Sequence, residues 1–204
     1  MQENIPEIEL QVTRQEMISW HRLLREGVDV QIKAGRSVQE LLQDELIIDE
    51  DTIQEQIKTI FLNQKPVDDL QTAVPDQSTL TLSGAMPGFL GACMRVGSPY
   101  ARMRESISET GESGTQDNPS GSTATVRLKV FNILVPQIAP NVLQRGILLS
   151  RERFQEHLKN LPQDFLKSCQ RIEVNQNPCP ADISSILERL QDSEHLRIFI
   201  HSED

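Results

Sequence analysis

Short runs of alternating apolar and polar residues occur in both halves of the chain and predict β-strands. Alternation gives a strand one apolar and one polar face, as in a sheet with one buried side. It is clearest in residues 8–12 (IELQV), 28–32 (VDVQI) and 126–130 (VRLKV). Further strands are predicted within residues 57–63, 80–84, 147–149, 169–175 and 196–200.

A helix is predicted after the second strand of each half. Ser37 and Glu40 form a capping-box pattern at the start of the first one, and the apolar residues of 38–42 share one face. Residues 154–161 repeat that apolar stripe in the second half. A less regular helical insertion separates the first two strands in each half, RQEMISWHRLLRE in one and ILVPQIAPNVLQR in the other.

The two halves also resemble each other in sequence. Five short segments recur in the same chain order, at offsets between 112 and 119 residues, which indicates an internal repeat. The pairs are IELQV (8–12) and VRLKV (126–130), LREGV (24–28) and LQRGI (143–147), VQELL (38–42) and FQEHL (154–158), LNQKPV (62–67) and VNQNPC (174–179), and LTLSG (80–84) and LRIFI (196–200).

The repeat predicts an α+β protein with two tandem lobes, each a mixed sheet with a packed helix. The first lobe spans residues 1–104 and ends in a Gly/Met/Arg-rich extension at 84–104, and the second spans 125–204. Residues 105–124 consist mainly of Ser, Gly, Thr and acidic residues. Such a composition buries too little apolar surface to offset the entropy of ordering, so it predicts a flexible linker.

The first lobe resembles the sulfur-carrier branch of the β-grasp (ubiquitin-like) superfamily, which includes the small subunit of molybdopterin synthase and the thiamine sulfur carrier. The resemblance covers about residues 8–84. It depends on GRSVQELL (35–42), IFLNQKPVDD (60–69) and VPDQSTLTLSGAMPG (74–88). The second lobe resembles the family only through the repeat. The resemblance implies β-grasp-like lobes and carriage of sulfur on a terminal Gly-Gly.

The sequence differs from the sulfur carriers at the residues that carry the sulfur. The chain ends in FIHSED and contains no Gly-Gly. Sulfur transfer would therefore require processing after Gly84 or Gly88. We expect the intact chain not to accept sulfur.

Charge and cysteine content limit the classes of partner. The net charge of −10 argues against general nucleic-acid binding, which depends on Lys and Arg neutralising phosphates. Residues 1–76 hold 16 acidic and 7 basic residues, a balance of −9. Residues 77–94 carry no charge but include glycines, a proline and hydroxyl side chains, so no membrane span is expected. Three cysteines without a CxxC pair predict a cytoplasmic protein with reduced thiols.

The stretch LSGAMPGFLGACMRVGSPYARMR, residues 82–104, is the candidate for contact with a partner or an anion. Its methionines, aromatic residues and arginines are typical of interface cores, and its glycine spacing fits no phosphate loop. Its glycines and Pro87 predict an irregular segment across 84–91. The candidate contact residues are Met86, Phe89, Leu90, Met94, Arg95, Tyr100, Arg102 and Arg104, and Cys93 is a candidate reactive thiol.

No catalytic set can be assembled from the sequence, because no nucleophile, base and orienting group fall into a known pattern. We expect no catalytic residue, metal or cofactor. Three hypotheses remain. The first is a non-enzymatic adaptor that docks on a protein partner, or on itself, through residues 82–104 and sheet edges. The second is a sulfur-carrier-related maturation protein that acts through a processed tail or Cys93. The third is a protein that binds a small anionic ligand with its arginines.

Overall fold

The computed structural model describes residues 5–100, 122–190 and 193–203 and confirms an α+β protein with mixed β-sheet. The described residues form ten strands. These are β1 Glu7–Thr13, β2 Val28–Lys33, β3 Thr59–Leu62, β4 Lys65–Pro66, β5 Thr79–Ser83, β6 Thr123–Phe131, β7 Ile147–Ser150, β8 Arg171–Val174, β9 Asn177–Pro178 and β10 His195–Glu203.

The α-helices of the described residues are short, and several continue into other helical turns. They are α1 Arg14–Met17, α2 His21–Glu26, α3 Val38–Glu40, α4 Gly88–Met94, α5 Val135–Arg145, α6 Arg151–Asn160, α7 Phe165–Ser168 and α8 Ile183–Arg189. Turns of 3₁₀-helix cover Ile18–Trp20 and Asn132–Leu134, and turns of π-helix cover Leu41–Glu45 and Thr52–Gln56. The predicted capping box is present, because Ser37 Oγ accepts from the Glu40 amide and Glu40 accepts from the Ser37 amide.

The chain divides into two compact units, and their bounds differ from those of the predicted lobes. The internal unit is the continuous stretch Leu23–Asn141. The terminal unit combines Met1–Arg22 with Val142–Asp204. The start of the chain thus belongs with its second half. The predicted linker falls outside the described residues as far as residue 121, and β6 begins at Thr123, two residues before the predicted second lobe.

The internal unit has a five-stranded sheet in the order β4-β3-β5-β6-β2. Strands β5 and β6 are parallel, and the other neighbours are antiparallel. The alternating residues of β6 are buried on one face, from Ala124 to Val130. Strand β6 lies between β5 and β2, so a strand from beyond residue 122 fills an inner position of this sheet.

The terminal unit has a five-stranded sheet in the order β9-β8-β1-β10-β7. Strand β1 is parallel to β10 and antiparallel to β8. Ile8, Leu10 and Val12 of β1 are fully buried. The helical turns that follow β1 are anchored by Trp20, which is fully buried and packs its ring against His157 at 4.5 Å and Phe165 at 6.2 Å between centroids. Residues 5–20 are therefore an integral part of a sheet and core that the second half builds.

Two equivalent Asn-Gln turns show which strands correspond between the units. Asn63 and Asn175, with the glutamine after each, have positive φ angles of 49–69°, which asparagine tolerates better than most residues. In the internal unit, the Asn63 side chain accepts from the amide of Thr79, at the start of β5 (2.9 Å). In the terminal unit, the Asn175 side chain accepts from the amide of Glu7, at the start of β1 (2.9 Å). Strand β1 thus occupies in one unit the place of β5 in the other.

This correspondence differs from the sequence repeat, which pairs β1 with β6 and β5 with β10. In the terminal unit β10 takes the inner place that β6 has in the internal unit, and β1 takes the middle place. Both places lie in a parallel pair, and both need a strand with alternating buried residues. An alternating pattern therefore fits either place, and the sequence does not specify which strand fills which.

Candidate functional site

The candidate segment begins at the end of β5 in the internal unit, where several contacts fix it. The amide of Lys58 donates to the Ser83 carbonyl at 3.0 Å, and Asn132 Nδ2 donates to Ser83 Oγ at 3.0 Å. Gly84 is buried, and a Cβ atom at its position would lie 3.3 Å from Ile133 Cγ1. The chain therefore leaves the sheet in close contact with the 3₁₀ turn that follows β6.

Helix α4 spans Gly88–Met94, so the prediction of an irregular segment across 84–91 is wrong for its second half. The reason lies at Gly91, where a Cβ atom would stand 2.2 Å from the carbonyl oxygen of Met86. The missing side chain lets the helix pack directly on the preceding backbone. Cys93 is only 6% exposed, which favours the packing interpretation of this thiol over the reactive one. The segment from 84 to 87 is irregular, as predicted.

After α4 the chain turns back toward the sheet. The amide of Val96 donates to the Lys58 carbonyl at 2.9 Å. Gly97 adopts a φ of +66°, in the left-handed region that glycine enters without steric cost. The amide of Tyr100 donates to Ser98 Oγ at 3.2 Å, which orients the last described residue of the segment.

Two aromatic residues are exposed on this segment and contact each other. Phe89 is 60% exposed and Tyr100 is 48% exposed. Their rings meet edge to face, with centroids 5.7 Å apart and planes at 64°, a favoured geometry for aromatic pairs. We call these two residues the aromatic pair. An exposed pair of large rings, held by backbone contacts on both sides, has the chemistry of a contact surface.

The other predicted contact residues have different outcomes. Met86 and Met94 are half-buried, and Arg95 is exposed. The side chain of Leu90 and the whole of Arg102 and Arg104 lie outside what the structure describes. Three arginines of the segment were predicted to bind an anion. Of these three, only Arg95 lies within the residues that the structure describes.

Sequence reasoning missed two exposed isoleucines of the internal unit. Ile133 is 63% exposed and lies beside Gly84. Ile47 is 68% exposed and has a φ of +52°, which is rare for a β-branched residue. The carbonyl of Ile47 accepts a hydrogen bond from Asn141 Nδ2 at 2.6 Å, which holds this conformation. No sequence signal distinguishes these two residues from the buried isoleucines.

Substituting Gly91 tests whether α4 is packed as described. Alanine at this position should cost about 1–3 kcal/mol, as overpacking does, because its Cβ would overlap the Met86 carbonyl. We expect amide hydrogen exchange in α4 to become about ten to a hundred times faster. Gly84→Ala is the matched control, since its Cβ would come closest to a movable side-chain atom of Ile133, at 3.3 Å, and would meet the Gln56 carbonyl oxygen at an ordinary contact distance of 3.7 Å. Equal exchange rates in the two variants would contradict the described packing.

The remaining chemical candidates are dispersed. Burial raises the pKa of the Cys169 thiol to about 11, and burial also raises the pKa of Cys179. Both thiols are therefore protonated at neutral pH. Within the described ranges, no group of three or more His, Cys, Asp or Glu side chains is placed to hold a metal ion. None of the helices in the described part of the chain has both the length and the apolar character needed to cross a membrane.

A cavity of about 390 Å³ in the terminal unit is lined by polar residues, and one of them, Arg151, has a structural role. Arg151 Nη2 donates to the carbonyl of Leu187 at 3.1 Å, near the end of α8, where a cation is favourable. The Arg151 amide donates to the Glu194 carbonyl at 2.9 Å. Arg151 thus ties α6 to α8 and to the start of β10. The residues that line the cavity are Ser150, Arg151, Glu152, Ser193, Glu194 and His195.

The chain matches no protein-family model, and comparisons with curated proteins and with solved structures find no significant match.

Proposed function

We propose that the protein is a non-enzymatic adaptor that docks on a protein partner through the aromatic pair. The observation that carries this proposal is the edge-to-face contact of Phe89 and Tyr100, both about half exposed or more. Aromatic residues dominate the binding energy of many interfaces because they bury a large area at a small entropic cost. Isolated exposed apolar residues are common on protein surfaces, but a contacting aromatic pair on an anchored segment is a stronger indication.

The anchoring of the segment supports docking. The hydrogen bond from Val96 to Lys58 and the packing of Gly91 on Met86 hold the backbone on both sides of Phe89. A surface that is ordered before binding loses less conformational entropy when it binds. The half-buried Met86 and Met94 add flexible apolar side chains that can adapt to a partner.

Charge suggests the chemistry of the partner. The exposed Arg95 follows α4 directly and lies in a stretch, 77–100, that contains no acidic residue. An acidic rim on the partner would therefore be oriented by this end of the segment. Exposed ion pairs contribute little affinity, so the aromatic pair supplies most of the binding energy in this proposal.

The proposal includes the β-grasp resemblance of the first lobe. The internal unit supports it with a parallel inner pair of strands, antiparallel outer strands, and a helix after β2. We place the adaptor ahead of the sulfur carrier because Gly84 is buried at the position where a carrier tail would begin to extend. The segment after Gly84 packs on itself where Gly91 meets Met86. It returns to the unit through the hydrogen bond from the Val96 amide to the Lys58 carbonyl.

Site-specific photocrosslinking tests the adaptor function. A benzoylphenylalanine in place of Phe89 should crosslink to one defined protein in the native cells. The same probe in place of Ile18, which is equally exposed at 59%, should not. Adding Tyr100→Ser should reduce the Phe89 crosslink about tenfold or more, the effect of losing a hot spot. Equal crosslinking from positions 89 and 18 would contradict the proposal, provided that circular dichroism shows both variants folded.

A further inference from the structure

Residues 5–20 form a segment that inserts into a sheet built by the other end of the sequence. Strand β1 lies between β8 and β10, with Ile8 opposite Val174 on one side and Ile198 on the other. The next turn places Trp20 against His157 and Phe165. We call residues 5–20 the inserted segment. Its pairing in the sheet is with strands that lie more than 150 residues later in the chain.

The chain leaves the terminal unit through a helix that is interrupted. Helix α1 ends at Met17, a 3₁₀ turn covers Ile18–Trp20, and α2 begins at His21. The border between the two units falls directly after this point, between Arg22 and Leu23. A short 3₁₀ stretch between α-helical turns often marks a hinge. Ile18 within it is 59% exposed, so this side of the turn is not held by packing.

We propose that two copies of the chain can exchange their inserted segments and form a domain-swapped dimer. In such a dimer, β1 of each copy lies between β8 and β10 of the other. Every contact of the inserted segment is recovered, and only the connection after Trp20, where α2 begins at His21, changes. Domain swapping costs little for this reason, and protein concentration then decides between monomer and dimer.

In the dimer, the strand between β8 and β10 comes from a second copy of the chain, because several independent contacts select this particular strand. The Asn175 side chain accepts from the Glu7 amide, and the Glu7 carbonyl accepts from the Asn175 amide at 2.8 Å. The amide of Arg197 donates to the carbonyl of Pro6 at 2.9 Å. Trp20 is fully buried and adds the contacts of a large side chain at the far end of the inserted segment. Another copy supplies all of these groups in the same register.

A pair of cysteines distinguishes the exchanged dimer from the monomer. Gln11 and Arg171 lie opposite each other on β1 and β8, and opposite residues of antiparallel strands come within disulfide range. In a chain whose three natural cysteines are replaced by alanine, Gln11→Cys with Arg171→Cys forms a bond within one chain in the monomer. In the exchanged dimer the same bond joins two chains. The control pair is Phe61→Cys with Thr81→Cys, on β3 and β5 of the continuous internal unit.

The experiment is to unfold both proteins, refold them at two concentrations that differ about a hundredfold, oxidise them and run non-reducing gels. We expect covalent dimers of the Gln11/Arg171 protein to increase at least several-fold with concentration, while the control pair stays within one chain. Light scattering on the natural chain, refolded in the same way, should show the corresponding dimer. The proposal is overturned if the natural chain remains monomeric at both concentrations. It is also overturned if both cysteine pairs give covalent dimers to the same extent.

Discussion

Replacing Trp20 by alanine should lower the free energy of unfolding by about 3–5 kcal/mol, the usual cost of deleting a buried aromatic side chain. Trp20 is fully buried and contacts His157 and Phe165. Among the described residues its indole Nε1 has no hydrogen-bond partner, so we attribute the loss to packing. Urea unfolding followed by circular dichroism gives the free energy. Hydrogen exchange should accelerate first in residues 142–190, which share the terminal unit with Trp20.

Two variants control this experiment. Trp20→Phe keeps an aromatic ring in the same place and should cost clearly less than the alanine variant. Ile18→Ala removes an exposed side chain two residues away and should stay within about 0.5 kcal/mol of the natural chain. If Trp20→Ala were as mild as Ile18→Ala, the helical turn after β1 would not be anchored in the terminal unit.

Local features of the fold were predictable because short-range chemistry determines them. The alternating runs at 28–32 and 126–130 became strands β2 and β6, with their apolar residues buried. The Ser37–Glu40 capping box formed as its residue spacing indicates. Both Asn-Gln turns adopt positive φ angles, which asparagine tolerates. In each case the determining residues are neighbours in the sequence.

The assignment of strands to units could not be predicted, because it depends on contacts between distant residues. Residues 8–12 and 126–130 carry the same alternation, so each suits any inner strand position. The choice depends on groups such as Asn175, which binds the start of β1, and on the place that His157 and Phe165 provide for Trp20. The sequence repeat shows which segments are similar, but it does not show which of them pair as neighbouring strands in the sheet.

The candidate site could also be predicted in its local features but not in its long-range contacts. Phe89 and Tyr100 are exposed, because large apolar residues among glycines have little core to enter, and their role in contact stays a prediction. Helix α4 was not foreseen, since glycine disfavours helices in general. At Gly91 the close approach of the Met86 backbone outweighs that preference. Such an approach is visible only in three dimensions.

The fragment of residues 23–141 should fold by itself, whereas the fragment of residues 1–104 should not. The first contains all five strands of the internal unit, in the order β4-β3-β5-β6-β2. The second lacks β6, which pairs with both β5 and β2. Without β6, backbone groups of β5 and β2 lose the partners that they have in the full chain.

The size of the effect follows from the side chains that β6 contributes. Val126, Leu128 and Val130 are fully buried, and each contributes about 1.5–3 kcal/mol of burial. Their sum is comparable to the whole stability of a small domain, about 5–15 kcal/mol. We therefore expect a cooperative urea transition for residues 23–141 and a broad, non-cooperative one for residues 1–104. Adding the fragment 122–204 to residues 1–104 should restore cooperativity, because it returns β6 to the internal unit and receives β1 in the terminal unit. A sharp transition of residues 1–104 alone would show that the first half forms a sheet without β6, contrary to the pairing described for β5 and β2.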